Sequence, residues 1–281
     1  MTPPRRFGRS ATPAALDDAL RSAIRHRDLY LEYQPQVTAR GEVRGFEALV
    51  RWQRERFAAV PPADVVALAH RLSLADALTE FVLDQVCLDI LDWRDQGATV
   101  PRIAVNLTAM DLARDDLAAR VLRRLHHHRI DPARLDLELT ETALALGSGA
   151  ARRQLSLLRA EGVRVAIDDF GTGHSSLAEL VVLPLDTLKI DRGFLTDVPG
   201  DARREHVLRH VVELADDLEL RVVAEGVERP EQLAWLAHHG VARFQGHLFH
   251  RAAPAAFWTA TLCRERPTLT GWETTELAGC S

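Results

Sequence analysis

Residues 151–171 read ARRQLSLLRAEGVRVAIDDFG. The segment 151–162 has an amphipathic helical pattern and stops at Gly162, a favoured helix terminator. From Val163 the chain turns into a β-rich run that closes on Asp168 and Asp169. A helix handing over to such a strand is half of a βαβ unit, which belongs in a parallel sheet. Neighbouring strand residues point to opposite faces, so both carboxylates can meet one site only if the strand is ending there. Gly171 and Gly173, in the FGTG that follows at once, supply the turn.

The same alternation extends in both directions. The other β-rich runs are LYLEYQPQV (29–37), VRGFEALVRW (43–52), RIAVNLT (102–108), LDLELTET (135–142), DTLKID (186–191), LRVVAEGV (220–227) and ARFQGHLF (242–249). Helical patterns separate them. One is 204–218; another is 230–240, opened by Pro230 and closed by Gly240. Eight runs in one stretch predict an α/β fold, a closed (β/α)8 TIM-like barrel, with a doubly wound open sheet as the alternative. The barrel is expected over 15–260. Residues 1–14 and 261–281 lack periodicity and are expected to be tails, the first a disordered one.

Composition narrows the function. The chain has 281 residues, 27% charged and 47% hydrophobic, as expected of a soluble globular protein with a sizeable core. A net charge of −5 is no footprint for a nucleic-acid polymer, which wants a basic face. Cys87, Cys263 and Cys280 are widely spaced without a CxxC, so a reducing cytoplasm fits better than a disulfide scaffold or cysteine zinc site. No apolar run approaches the roughly 20 residues that span a bilayer, and the twin arginines near the start lack an apolar region behind them.

The informative residues are polar groups at strand ends: Glu47, Asn106, Glu138, Asp168, Asp169, Lys189, Glu225 and Gln245. In a barrel those ends converge on one rim, where active sites form. Five carboxylates gathered there repel one another, and Lys189 and Arg51 cannot neutralise them all. Hard oxygen ligands of this kind suit Mg²⁺ or Mn²⁺. One carboxylate shared between two ions is the usual arrangement for phosphodiester hydrolysis. Lys189 is the only lysine and Asn106 the only asparagine in an arginine-rich chain. A planar guanidinium cannot replace a compact ammonium, so a lysine that persists marks a place where the exchange fails.

The motifs YQPQV, FEALVRW, NLT, ELTET, DDFGTGHSSL, LPLDTLKIDRGF, VVAEGVE and FQGHLF occur in that order. In this the chain resembles the EAL domain family of cyclic di-GMP phosphodiesterases, named for the tripeptide seen here as Glu47-Ala48-Leu49. The resemblance implies metal-dependent hydrolysis of cyclic di-GMP to linear 5′-pGpG by two ions. It implies Glu47, Asn106, Glu138 and Asp168 as ligands of the first metal. Asp168 would bridge to the second, with Asp169 completing that site and Glu225 binding metal or its coordinated water. Lys189 would touch the attacking water, and Glu141 would fix the DDFGTG loop. Gln34, Leu49, Arg51, Glu228, Gln245 and the adjoining Gly246 match nucleotide-contacting positions. A first strand antiparallel to the rest and a homodimer through the loop after Asp169 are also implied.

Departures from the family pattern are His247, where an aromatic is usual, and FHRAAP, LAHRLSLADAL and GVARFQG, none of which touches the metal ligands. The alternative function is a receptor that binds cyclic di-GMP without cleaving it. A weaker one is an interaction scaffold. Such degeneration is usually marked by lost acids, and all are present. The histidine runs 126–128 and 238–239, His174, the arginine pairs and Tyr30 and Tyr33 are expected to be structural or solvated.

Overall fold

A computed structural model describes residues 13–26, 28–52, 62–140, 149–171 and 177–269. The strands are β1 (Tyr30–Val37), β2 (Val43–Arg51), β3 (Arg102–Leu107), β4 (Leu135–Thr140), β5 (Arg164–Phe170), β6 (Thr187–Ile190), β7 (Arg221–Ala224), β8 (Arg243–Phe244) and the short β9 (Ala253–Pro254). The main helices between them are α1 (Pro13–His26), α2 (Pro62–Arg71), α3 (Ala75–Asp95), α4 (Ala109–Leu112), α5 (Leu117–His127), α6 (Gly149–Ala160), α7 (Leu177–Val182), α8 (Ala202–Asp217), α9 (Pro230–His238) and α10 (Ala255–Leu262).

Strands β2 to β8 pair in sequence order and in parallel. β1 closes the ring between β2 and β8, antiparallel to both. The reason is local. A short turn over residues 38–42 joins β1 to β2, with Gly41 N donating to Thr38 O at 2.9 Å, and so tight a connection permits only an antiparallel pair. The result is a closed eight-stranded barrel, not the open sheet. β9 adds outside it against Glu32 and Tyr33.

Alternation divides each strand between two environments. Ile103 and Val105, Leu137 and Leu139, Val165 and Ile167, and Leu188 and Ile190 are all buried in the layer shared with the helices. Tyr33, Phe46, Trp93 and Trp258 form an aromatic knot there, with Tyr33–Trp93 and Phe46–Trp258 ring centroids each 5.0 Å apart. Trp258 Nε1 donates to Tyr33 O at 2.9 Å, so the knot fastens α10 to the first strand. Tyr33 is thus a core residue.

Helix ends follow their local chemistry. Asp201 caps α8 by accepting from Arg203 N and Arg204 N. Gly162 and Gly240 lie beyond α6 and α9 at positive φ. The boundaries expected at 15 and 260 both fall inside helices, α1 and α10. Beyond α10 the backbone still pairs with the β1–β2 turn: Val43 N donates to Pro267 O at 2.8 Å and Leu269 N to Gly41 O at 2.9 Å. No described helix is long and apolar enough to cross a membrane.

Candidate active site

The side chains not facing the helices fill the barrel. At the C-terminal ends of the strands that inner face is polar. Lys189 sits in its middle, 1% exposed. Its Nζ lies 2.6 Å from Glu138 Oε2, 2.7 Å from Glu225 Oε1, 3.1 Å from Asp168 Oδ1 and 3.5 Å from Glu47 Oε2. Glu47 also accepts from Asn106 Nδ2 at 2.8 Å and from Gln245 Nε2 at 2.6 Å. Gln245 Nε2 reaches Gln34 Oε1 at 3.2 Å, which joins the antiparallel β1 to the cluster. The register explains these meetings: Gln34 pairs with Glu47, Asn106 with Glu138, and Thr140 with Asp168.

Asp168 and Asp169 reach the cluster together, but not because the strand stops. β5 continues to Phe170, which pairs with Ile190. Its register shifts between Ile167 and Phe170, and Asp169 adopts φ 54°. One residue in the left-handed region inside a bulge breaks the alternation and brings both carboxylates to one side. Asp168 Oδ1 accepts from Asp169 N at 2.9 Å. Gly171 follows at φ 92°, a conformation strained for residues with a Cβ, and a Cβ there would lie 2.2 Å from the Phe194 ring.

Charge is badly balanced. Burial alone would push the Lys189 ammonium down, but Asp168, Glu138, Glu225 and Glu47 outweigh it and hold Lys189 well above the usual lysine range. Burial pushes Glu47 up, yet Lys189 and the hydrogen bonds from Gln245 and Asn106 leave it below the ordinary value. Burial pushes Glu138 well up, with Glu47, Asp168 and Glu225 countering the help from Lys189. Glu225 is raised to about 8, again by burial against the attraction of Lys189. Burial and Asp168 raise Asp169. One ammonium therefore does not offset the burial of Glu138, Asp169 and Glu225, and the cluster favours uptake of protons or cations.

Two groups of three carboxylates are close enough to hold an ion each. Glu47, Glu138 and Asp168 form one, and Asp168, Asp169 and Glu225 the other, with ligand atoms within 4.8 Å of one another in each. Asp168 belongs to both. The donor set is all oxygen and strongly negative, which fits hard divalent cations. Asn106 uses its amide nitrogen on Glu47, so its carbonyl oxygen is the atom it can offer a cation.

The remaining expected residues surround this centre. Arg51 Nε pairs with Glu32 Oε2 at 2.6 Å. Glu32 was not singled out from sequence; its place two residues before Gln34 on the same strand face is the signal that could have found it. Leu49 lines a largely apolar cavity of about 550 Å³ that also takes in Asn106 and Thr140. Glu228 borders a second cavity of about 890 Å³ with Arg192 and Arg229. His247 Nδ1 is 4.0 Å from Glu228 Oε1. Gly246 lets the chain pass against Val227, where a Cβ would stand 2.1 Å from the Val227 carbonyl oxygen. Glu141 and His174 lie outside the described residues. His239 stacks on Trp235 at 3.8 Å, a structural role, and Arg124 pairs with Glu80 and Asp84 on α3.

The model of the EAL domain family matches residues 17–252. Cyclic di-GMP phosphodiesterase NbdA of Pseudomonas aeruginosa is 39% identical over 249 residues, 88% of this chain and 32% of that protein. Cyclic di-GMP phosphodiesterase PdeR of Escherichia coli K12 is 36% identical over 240 residues, 85% of this chain and 36% of that protein. The chain thus spans about a third of the length of these curated relatives. A solved PaMucR phosphodiesterase in complex with c-di-GMP is 38% identical, with a TM-score of 0.80 over 85% of this chain and 98% of its own. The EAL domain of Mycobacterium smegmatis DcpA is 30% identical, with a TM-score of 0.72 over the same 85% of this chain and 98% of its own. A family match over residues 17–252, most of the chain, makes this chain a member of the EAL domain family.

Proposed function

We propose that the chain is a divalent-cation-dependent phosphodiesterase that hydrolyses cyclic di-GMP to linear 5′-pGpG. The observation that carries this reading is the sharing of Asp168 between two carboxylate triads at one mouth of the barrel. The names of NbdA and PdeR, and the c-di-GMP bound in the PaMucR structure, support the substrate. Glu47, Asn106, Glu138 and Asp168 would hold one ion; Asp168, Asp169 and Glu225 would hold the second, Mg²⁺ or Mn²⁺ in each case. Bound cations of this class supply charge to the phosphodiester oxygens and make water more acidic.

The chain's own residues have separable tasks. Lys189, a donor with no accepting atom, keeps Glu138, Glu225 and Asp168 oriented. In the complex it would donate to the attacking water. Gln245 and Asn106 fix the Glu47 carboxylate from two sides. Arg51, now on Glu32, would move to a substrate phosphate, for which its forked guanidinium is well shaped. Gln34, Leu49, Glu228, Gln245 and Gly246 would line the nucleotide site, and Glu141 would hold the loop after Asp169. That loop is also proposed to carry a homodimer contact, supported by the exposed Val181 and Val182 on α7 just beyond it. A cytoplasmic location accords with a cyclic dinucleotide substrate.

Incubation with cyclic di-GMP and Mg²⁺, followed by separation of the nucleotides, tests the proposal. The expected product is 5′-pGpG, absent when the metal is chelated and absent for Glu47→Ala. Tight retention of uncleaved ligand would instead identify a receptor. Turnover in metal-free buffer would reject the two-cation reading.

A further inference from the structure

The barrel interior carries a second charged layer at the end opposite the acids. Residues two and four apart share a strand face. Arg102 therefore lies beneath Asn106 on β3, Asp136 beneath Glu138 on β4, Arg164 beneath Asp168 on β5, Arg221 beneath Glu225 on β7 and Arg243 beneath Gln245 on β8. All five are the first or second residues of parallel strands and so stand at one end of the barrel; Asp136 pairs with Arg164, while Arg221 faces Thr187 and Arg243 faces Val223, two residues further along β7. The N-terminal mouth thus holds four guanidiniums around one carboxylate, the inverse of the other mouth.

Among the described residues, only Arg102 of the four makes a salt bridge. Arg102 Nη1 donates to Asp136 Oδ1 at 2.6 Å and to Leu135 O at 3.1 Å, and its Nη2 donates to Gly162 O at 3.3 Å. Among the described residues, the side chains of Arg164, Arg221 and Arg243 have no hydrogen-bond acceptor or ion-pair partner, and Arg221 Nε is a fully buried donor left unused. All three side chains are half-buried, so they are reachable from solvent without being fully hydrated. Burial, then the neighbouring arginines, outweighs the attraction of Asp136 and holds Arg164 and Arg243 below the ordinary arginine value. Four guanidiniums gathered around the single carboxylate of Asp136 are unfavourable, and planar guanidinium forks match the oxygens of a phosphate.

We propose that this arginine layer is a second ligand site, which binds one small multivalent oxyanion of the phosphate class at the barrel mouth opposite the acidic cluster. It does not depend on the catalytic reading, because no residue is shared between the two layers.

The test uses the full chain, stripped of metal and dialysed into chelator-free, phosphate-free buffer. Without cations the acidic mouth repels anions and cannot mimic the site. Calorimetric titration with inorganic pyrophosphate at fixed ionic strength is expected to show one saturable site per chain. The Arg221→Gln, Arg243→Gln double variant should bind at least about tenfold more weakly, because charge-assisted hydrogen bonds are lost. Arg123→Gln, on the exposed face of α5, should match the wild type. Absence of saturable binding to the wild type, or an undiminished affinity in the double variant, overturns the proposal. Should the double variant not fold, Asp136→Asn decides: removal of the layer's one carboxylate should tighten pyrophosphate binding, and equal or weaker binding overturns the site.

Discussion

Lys189 is surrounded by acids that would otherwise repel one another, and its compact ammonium contacts several of them at once. A guanidinium there would be planar and too large for a site with 1% exposure. Lys189→Arg is expected to cut turnover by about 10²-fold or more, as loss of a preorganised donor does, while costing only about 1–3 kcal/mol of stability through overpacking. Turnover with Mg²⁺ beside a urea melt checks both, and wild-type activity in the variant would show that the lone lysine is incidental. Glu225 gives a pH test. Its folded value of about 8 exceeds the ordinary 4.5, so between those limits the folded chain binds a proton that the unfolded chain lacks. Stability contributed by that proton is complete below 4.5 and is lost as pH rises through 8. Metal-free protein should therefore melt about 5 °C or more lower at pH 8 than at pH 5.5. Mg²⁺ or Glu225→Gln should flatten the difference, and a flat profile in the metal-free wild type would contradict the charge imbalance.

At the scale of elements, two backbone devices shape the mouth. One is the bulge in β5, where Asp169 at φ 54° aims its carboxylate with that of Asp168. The adjacent pair in the sequence announced that something unusual must happen, but a bulge and a strand end look alike in one dimension. The other is the close approach of Gly246 to Val227, locked by Val227 N donating to Gln245 O at 3.1 Å. This contact holds Gln245 against Glu47. Gly246→Ala should cost about 2–4 kcal/mol, since the Cβ meets backbone and not a movable side chain. Activity should fall with it. Gly240→Ala is the control: its φ of 91° is unfavourable but nothing lies within 4 Å, so a cost of about 1 kcal/mol is expected. Equal melting points for the two variants would show that the approach has no structural weight.

Across the whole molecule, charge is sorted by barrel end: carboxylates around Lys189 at one mouth, arginines around Asp136 at the other. The chain's net −5 conceals both layers, because they largely cancel in the total. The exposed pair Val181 and Val182 belongs to the same scale, since its partner would be a second chain. Val181→Asp combined with Val182→Asp should shift the protein from twice the chain mass to the chain mass in light scattering. A monomeric wild type, or a dimer that survives both substitutions, would remove the loop after Asp169 as an interface.

The sequence by itself determined the alternation of strands and helices and the oxygen-rich acids toward the C-terminal parts of the strands, a donor set suited to hard cations. Each of these depends on local periodicity or on side-chain chemistry that position in the chain does not alter. The family motifs added the antiparallel first strand, whose direction periodicity cannot carry. The resemblance also named Asp168 as the shared carboxylate; tertiary structure alone decided that Glu32 occupies Arg51 and that Arg102, Arg164, Arg221 and Arg243 share one end of the barrel. Those facts arise from closure: residues far apart in the chain become neighbours only when register and shear bring the strands into a ring, and no single strand contains that information.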